Sequence, residues 1–276
     1  MTVRRLSAGL VAAALLTPGV AACAKTGDGA AGPTATPSAT ATGTPVDSDA
    51  RQALLDSTRE LGNGNFRFRM SGVGSIAEGQ VHQPSQSAEL RVSLGEPTDD
   101  LAMTLDLVHA MPDSWVKLDL SGAAASSVPG RDRLNLGKYQ HLDQRRIQGD
   151  RNLGFDFDRV DPAGSEVLTR AVTEVRRTGD ATYAGTIDVS KAADAGSIDP
   201  GLITTLGAQA NSVPFTATLD GEGRLTELVL QIPGTGETAP QEIRVTYRDY
   251  GNATAAQKPP ADQVVEAPPE LYNLFD

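Results

Sequence analysis

A two-residue period of apolar side chains, returning again and again between turn residues, constrains this chain more than any other feature. Phe66, Phe68 and Met70 alternate with Arg67, Arg69 and Ser71, and Leu90, Val92 and Leu94 alternate with Glu89, Arg91 and Ser93. The pattern continues in Leu101, Met103, Leu105 and Leu107, in Val116, Leu118 and Leu120, and in Tyr183, Gly185, Ile187 and Val189. Phe215, Ala217 and Leu219 lead into the turn Asp220-Gly221-Glu222-Gly223, and Thr226, Leu228, Leu230 and Ile232 come back. Ile243, Val245 and Tyr247 follow. Successive side chains on a strand point to opposite faces, so each stretch offers one apolar face and one polar face. About ten such strands joined by short turns predict a largely antiparallel sheet with one buried side.

Helical spacing is confined to three places. Asp49 is read as the cap of a first helix, with Gln52 three residues on, Leu54, Leu55, Thr58 and Leu61 on one side, and Gly62 as the stop. Asp161-Pro162 opens a second, carrying Leu168, Ala171, Val172 and Val175 and ending in Arg176-Arg177 before Gly179. Asp199-Pro200 starts a shorter third with Leu202, Ile203, Leu206 and Ala210. Residues 121–160 are dominated by Ser, Gly, Asp and Arg, and no element is assigned there. The tail from Pro259-Pro260 to Pro268-Pro269 reads as extended, with Leu271, Tyr272, Leu274 and Phe275 docking on the domain.

The N-terminus carries an address. Arg4-Arg5 precede the apolar run Leu6 to Leu16, which is too short to span a bilayer and fits a signal peptide. Val20-Ala21-Ala22-Cys23 resembles the lipobox of bacterial lipoproteins, in which the cysteine sulfur takes diacylglycerol and the chain is cut before it. Cys23, the sole cysteine, would then be the first mature residue. From Ala24 to Asp49, 21 of 26 residues are Ala, Gly, Pro, Ser or Thr, with almost nothing bulky to bury. A flexible coil of that length reaches about 30 Å. The expected organisation is therefore a lipoprotein signal peptide over 1–22, a lipidated N-terminus and disordered tether over 23–48, and one α+β domain over 49–276. The protein is expected outside the cytoplasm, held to the cell membrane by acyl chains on Cys23, after passage through export and lipoprotein-processing machinery.

Charge narrows the partners. Without residues 1–22 the chain keeps 22 basic residues against 35 acidic ones, a formal charge of −13. That argues against nucleic acid and against attachment to anionic lipid by charge. With no second cysteine there is no internal disulfide, so the domain is held by its core alone. It is expected to be a monomer.

Candidate chemistries fail one by one. Ser114-Trp115-Val116-Lys117 matches the Ser-x-x-Lys of penicillin-binding proteins, but residues three apart on a strand face opposite ways. His82, His109 and His141 are isolated, without metal-ligand spacing. Asp156, Asp158 and Asp161 lack the glycine and closing glutamate of a calcium loop, and Asp220-Gly221-Glu222-Gly223 reads as a hairpin turn. No catalytic residue, metal site or cofactor is expected, and the protein is read as a non-enzyme.

The alternation by itself suits either a sheet around an apolar cavity or a solid core. At this point four stretches carry a resemblance: Trp115 to Ser121, Tyr183 to Val189, Pro214 to Leu225 and Val245 to Gly251. They are similar to actinobacterial lipoproteins related to the mycobacterial LppX and LprG families, within the wider LolA-like group of lipoprotein carriers. The resemblance implies a strongly curved antiparallel β half-barrel with about three helices covering its concave face, and an apolar cavity taking acyl chains of lipids, glycolipids or lipoglycans. Strand phase nominates Leu90, Val92, Leu101, Met103, Leu105, Val116, Leu118, Ile187, Val189, Phe215, Ala217 and Leu219 as cavity wall. Leu168, Val172, Leu202 and Leu206 are nominated on the covering helices. The expected function is binding and transfer of lipids or lipoglycans. The alternative is an envelope interaction or sensory lipoprotein with a filled core.

Overall fold

A computed structural model describes residues 47–275, apart from 97, 151, 193–197 and 237–238. The expected signal peptide, most of the tether and Cys23 lie outside the described residues. The described residues belong to one compact unit, Thr44–Asp276.

The alternating stretches form strands of one twelve-stranded, open and curled sheet. In chain order these are β1 (Asn65–Gly72), β2 (Ser75–His82), β3 (Ser87–Leu94), β4 (Ala102–Ala110), β5 (Asp113–Ser121) and β6 (Tyr139–His141). After them come β7 (Val172–Arg177), β8 (Thr182–Ile187), β9 (Val213–Leu219), β10 (Leu225–Ile232), β11 (Gln241–Arg248) and β12 (Val264–Glu266). The spatial order is β12-β6-β5-β4-β3-β2-β1-β11-β10-β9-β8-β7. Neighbours are antiparallel except β12, which lies parallel to β6. Among the described residues, five short α-helices complete the α+β fold: α1 (Ser48–Ser57), α2 (Gln144–Ile147), α3 (Ser165–Arg170), α4 (Pro200–Leu206) and α5 (Pro269–Tyr272).

Register carries the apolar phase across the sheet. One inner row runs through Tyr183, Ala217, Leu228, Val245, Met70, Ala77, Val92, Leu105 and Leu118, from β8 to β5. The inner face feeds two cores. The larger gathers Ala50 and Leu54 of α1, Leu168 of α3, Leu206 of α4 and the apolar residues of β1 and β7–β11. The smaller gathers Leu105, Leu107, Val116 and Leu118 with Leu134, Leu142, Ile147, Leu153, Leu271 and Tyr272. Tail docking thus takes the form of Leu271 and Tyr272 buried in the second core, where the Tyr272 hydroxyl accepts the Asp143 N–H at 2.8 Å.

The helix expectations need correction at their ends. The first helix is capped by Asp47, whose carboxylate accepts from the N–H groups of Asp49 and Ala50, so the start lies earlier than Asp49. The second helix is much shorter than its spacing suggested. Asp161 accepts from Ser165 N–H and Glu166 N–H, but α3 stops at Arg170 and Val172–Arg177 is strand β7. A bulge between Val172 and Glu174 puts Val172 and Val175 on the same buried side three residues apart, the spacing of a helix turn. Val172 is therefore a strand residue and not part of a covering helix. The third helix begins as expected, with Asp199 accepting from Leu202 N–H at 3.0 Å, but it stops at Leu206, and Ala210 lies in the 3-10 turn Gly207–Ser212 that follows.

Candidate functional site

The inner row is buried at both ends and open in the middle. Tyr183, Ala217, Leu228 and Val245 are buried at one end and Leu105 and Leu118 at the other, while Met70, Ala77 and Val92 between them are only half-buried. In the next row toward the rim Gly72, Ser75, Met103 and Leu120 are half-buried, and Leu94 is 38% exposed.

Strand β2 explains the opening. Its inward positions Ser75, Ala77 and Gly79 carry small side chains or none, while its neighbours present Phe68 and Met70 on β1 and Leu90, Val92 and Leu94 on β3. A Cβ on Gly79 would stand 2.1 Å from the Glu89 carbonyl oxygen, so close backbone approach keeps that position bare. The result is an apolar furrow along β2, with a core on either side. Leu90 packs against both cores, and Met70, Leu202 and Ile203 pack half-buried against the larger one.

The nominated residues divide accordingly. Leu90, Val92 and Met103 line the furrow. Leu105, Val116 and Leu118 are buried in the smaller core, and Leu168, Val172, Ile187, Val189, Leu206, Phe215, Ala217 and Leu219 in the larger, with Leu202 at its edge. Leu101 precedes β4 and is 44% exposed. Met70 and Leu120 were legible as inward-facing strand residues although they were not nominated for the cavity, whereas Ala77, of the same phase, was missed. Small residues on β2 break the visible alternation, although Ala77, Gly79 and Val81 keep its period.

At the far end of the inner face two buried polar groups meet. His109 and Ser114 face each other on β4 and β5 with Nδ1 and Oγ 2.9 Å apart, both buried. Burial lowers the His109 pKa to about 4. Ser114 is on the inner face and Lys117 on the outer, where Lys117 pairs with Asp106 at 3.3 Å, so the Ser-x-x-Lys match assembles nothing. Asp220 accepts from Glu222 N–H, Arg224 N–H and Arg224 Nε, which makes Asp220–Gly223 a hairpin turn. Among the described residues no group of three or more His, Cys, Asp or Glu side chains could hold a metal.

The outer face is crossed by a strap. Residues 253–260 run over β1 to β5: Ala253 N–H donates to Asn65, Ala256 N–H to Ser87 Oγ and Gln257 N–H to Glu89. Lys258 reaches Asp113 at 2.9 Å and stands over the Trp115 ring at 5.6 Å. Its hydrogen bond, assisted by His141, holds the Asp113 carboxyl below the usual range.

No known protein-family model matches this chain, and no curated protein is significantly similar to it. Among the described residues no helix is long and apolar enough to cross a membrane.

Proposed function

We propose that this protein is a non-catalytic lipid-binding lipoprotein of the cell envelope, anchored through Cys23 and working by shielding acyl chains along the β2 furrow. The observation that carries this reading is the row of half-buried apolar side chains Met70, Ala77 and Val92, with Met103 in the row beside it, between two closed cores. Soluble domains bury such a row unless something else covers it. An acyl chain is the apolar body that fits a narrow furrow, and each CH₂ removed from water contributes about 0.8 kcal/mol. In this reading α1, α3 and α4 lie over the concave side of a half-barrel and leave the β1–β3 stretch for the ligand, while the tether keeps the domain near its lipid source.

A second reading has one observation in its favour: Leu118, Val116, Leu168, Ile187 and Val189 are completely buried among protein side chains, as a filled core requires. Under it the domain binds a partner protein and carries no lipid.

One experiment separates the two. Residues 44–276, purified without detergent, are examined by native mass spectrometry. Lipid-sized adducts are expected, and Ala77→Phe, which fills the furrow floor, is expected to remove them while the domain stays folded. Adduct-free wild-type protein would overturn the lipid reading. In the full chain, Cys23→Ser is expected to move the protein from the membrane to the soluble fraction.

A further inference from the structure

The outer face of the sheet holds a site of different chemistry. Outward-facing side chains from β11 across β1 to β6 floor a groove of about 1090 Å³, bounded on one side by Gln257, Lys258, Pro259 and Pro260 of the strap. One row of its floor alternates in charge, with Arg69, Glu78, Arg91, Asp106 and Lys117 opposite one another on successive strands. These pair among themselves: Arg69 with Glu78, Arg91 with Asp106 at 3.0 Å, and Lys117 with Asp106 at 3.3 Å. Glu89 accepts from Gln80 and from Gln257 N–H, each at 3.1 Å. Every groove carboxylate therefore has a partner.

The adjoining row breaks the alternation. Arg67 on β1 and Arg248 on β11 stand directly opposite each other, a placement that destabilises a sheet because like charges face across it. The carboxylate beside them is Asp249, 3.6 Å from Arg67, and Arg248 has no ion-pair partner among the described residues. Carboxylates are not scarce in a chain with 35 acidic residues against 24 basic ones, so this pairing does not follow from composition. Two guanidinium forks facing one groove match the oxygens of a phosphate, which accepts paired N–H donors from each, whereas a single carboxylate saturates one fork. Gln80, Thr246 and Tyr139 on the same floor offer hydrogen bonds to a hydroxyl-rich body attached to it.

We propose that Arg67 and Arg248 form a binding site for the phosphate group of a ligand lying in this groove. The site is on the opposite face from the furrow and stands whether or not the furrow holds lipid. A soluble phosphate ester and a lipid head group share this chemistry.

Calorimetric titration of residues 44–276 with inorganic phosphate is expected to give saturable binding near or below about 1 mM. Arg67→Gln and Arg248→Gln should each weaken it about tenfold or more, because each removes one fork. Arg145→Gln, an equal loss of charge at an exposed position outside the groove, should leave it unchanged. Relief of the like-charge pair predicts that Arg248→Gln melts at or above the wild-type temperature, so lost binding cannot be put down to lost folding. Co-sedimentation with phosphatidylglycerol vesicles that Arg67→Gln abolishes would assign the phosphate to a head group. Phosphate binding without vesicle binding would assign it to a soluble ester. Absence of saturable phosphate binding, or full binding by both groove variants, would overturn the proposal.

Discussion

His109 occupies a position where one proton decides stability. It is 2% exposed, its ring lies 5.6 Å from that of Phe155, and Nε2 has no hydrogen-bond partner among the described residues. A charged imidazolium there would lose its hydration without gaining a counterion. The folded protein keeps His109 neutral down to about pH 4, whereas the unfolded chain takes up the proton near 6.5. The unfolded state therefore binds more protons between those values, so this contribution is full above 6.5 and is lost as pH falls toward 4, by up to roughly 3 kcal/mol. Urea midpoints followed from pH 7 to 4 should fall more steeply for wild type than for His109→Gln, which keeps a partner for Ser114 but has nothing to titrate. Parallel profiles would refute the assignment. Asp161, raised by burial, contributes with the opposite sign but equally in both proteins.

At the scale of elements, the start of α1 gives a sharp comparison between neighbouring aspartates. The Asp47 carboxylate accepts two backbone N–H groups at 3.1 Å, while Asp49 is only an acidic residue in the first turn. Asp47→Ala should destabilise by about 1 kcal/mol and Asp49→Ala by no more than about 0.5 kcal/mol, measured by chemical denaturation. The same neighbourhood shows what a sequence can disclose. Phe66, Phe68 and Met70, or Phe215, Ala217 and Leu219, alternate so plainly that strand and inner face were both legible. β2 was not, because Ser75, Ala77 and Gly79 are small on the side where apolar bulk gives the signal, and for the same reason the floor of the furrow went unseen. β7 imitated a helix through its bulge. β6 and β12 are three residues each, shorter than any period needs to register. Strap contacts such as Ala253 to Asn65 and Gln257 to Glu89 join residues far apart in sequence, which no local pattern can reveal.

For the whole molecule, the arrangement of two cores on one continuous sheet predicts unequal local stability. The smaller core depends on Leu271, fully buried, and on Tyr272, over whose ring the Arg146 guanidinium lies at 3.7 Å. Leu271→Ala should destabilise by about 2–5 kcal/mol, as cavity-forming core substitutions do. The furrow separates this core from the other, so hydrogen exchange should show protection lost in β4–β6 while β8–β11 keep theirs. Uniform loss across the sheet would mean that the backbone ladder couples the two halves more tightly than their side chains do.

The strap has a consequence for spectroscopy. Trp115, the one tryptophan in the chain, lies only 7% exposed on the outer face of β5, between the Lys258 ammonium and the His141 ring. All indole emission therefore originates at the point where the strap is pinned. Its wavelength and its accessibility to an aqueous quencher report strap docking with no label added, so opening and closing of this face can be timed in the unmodified protein.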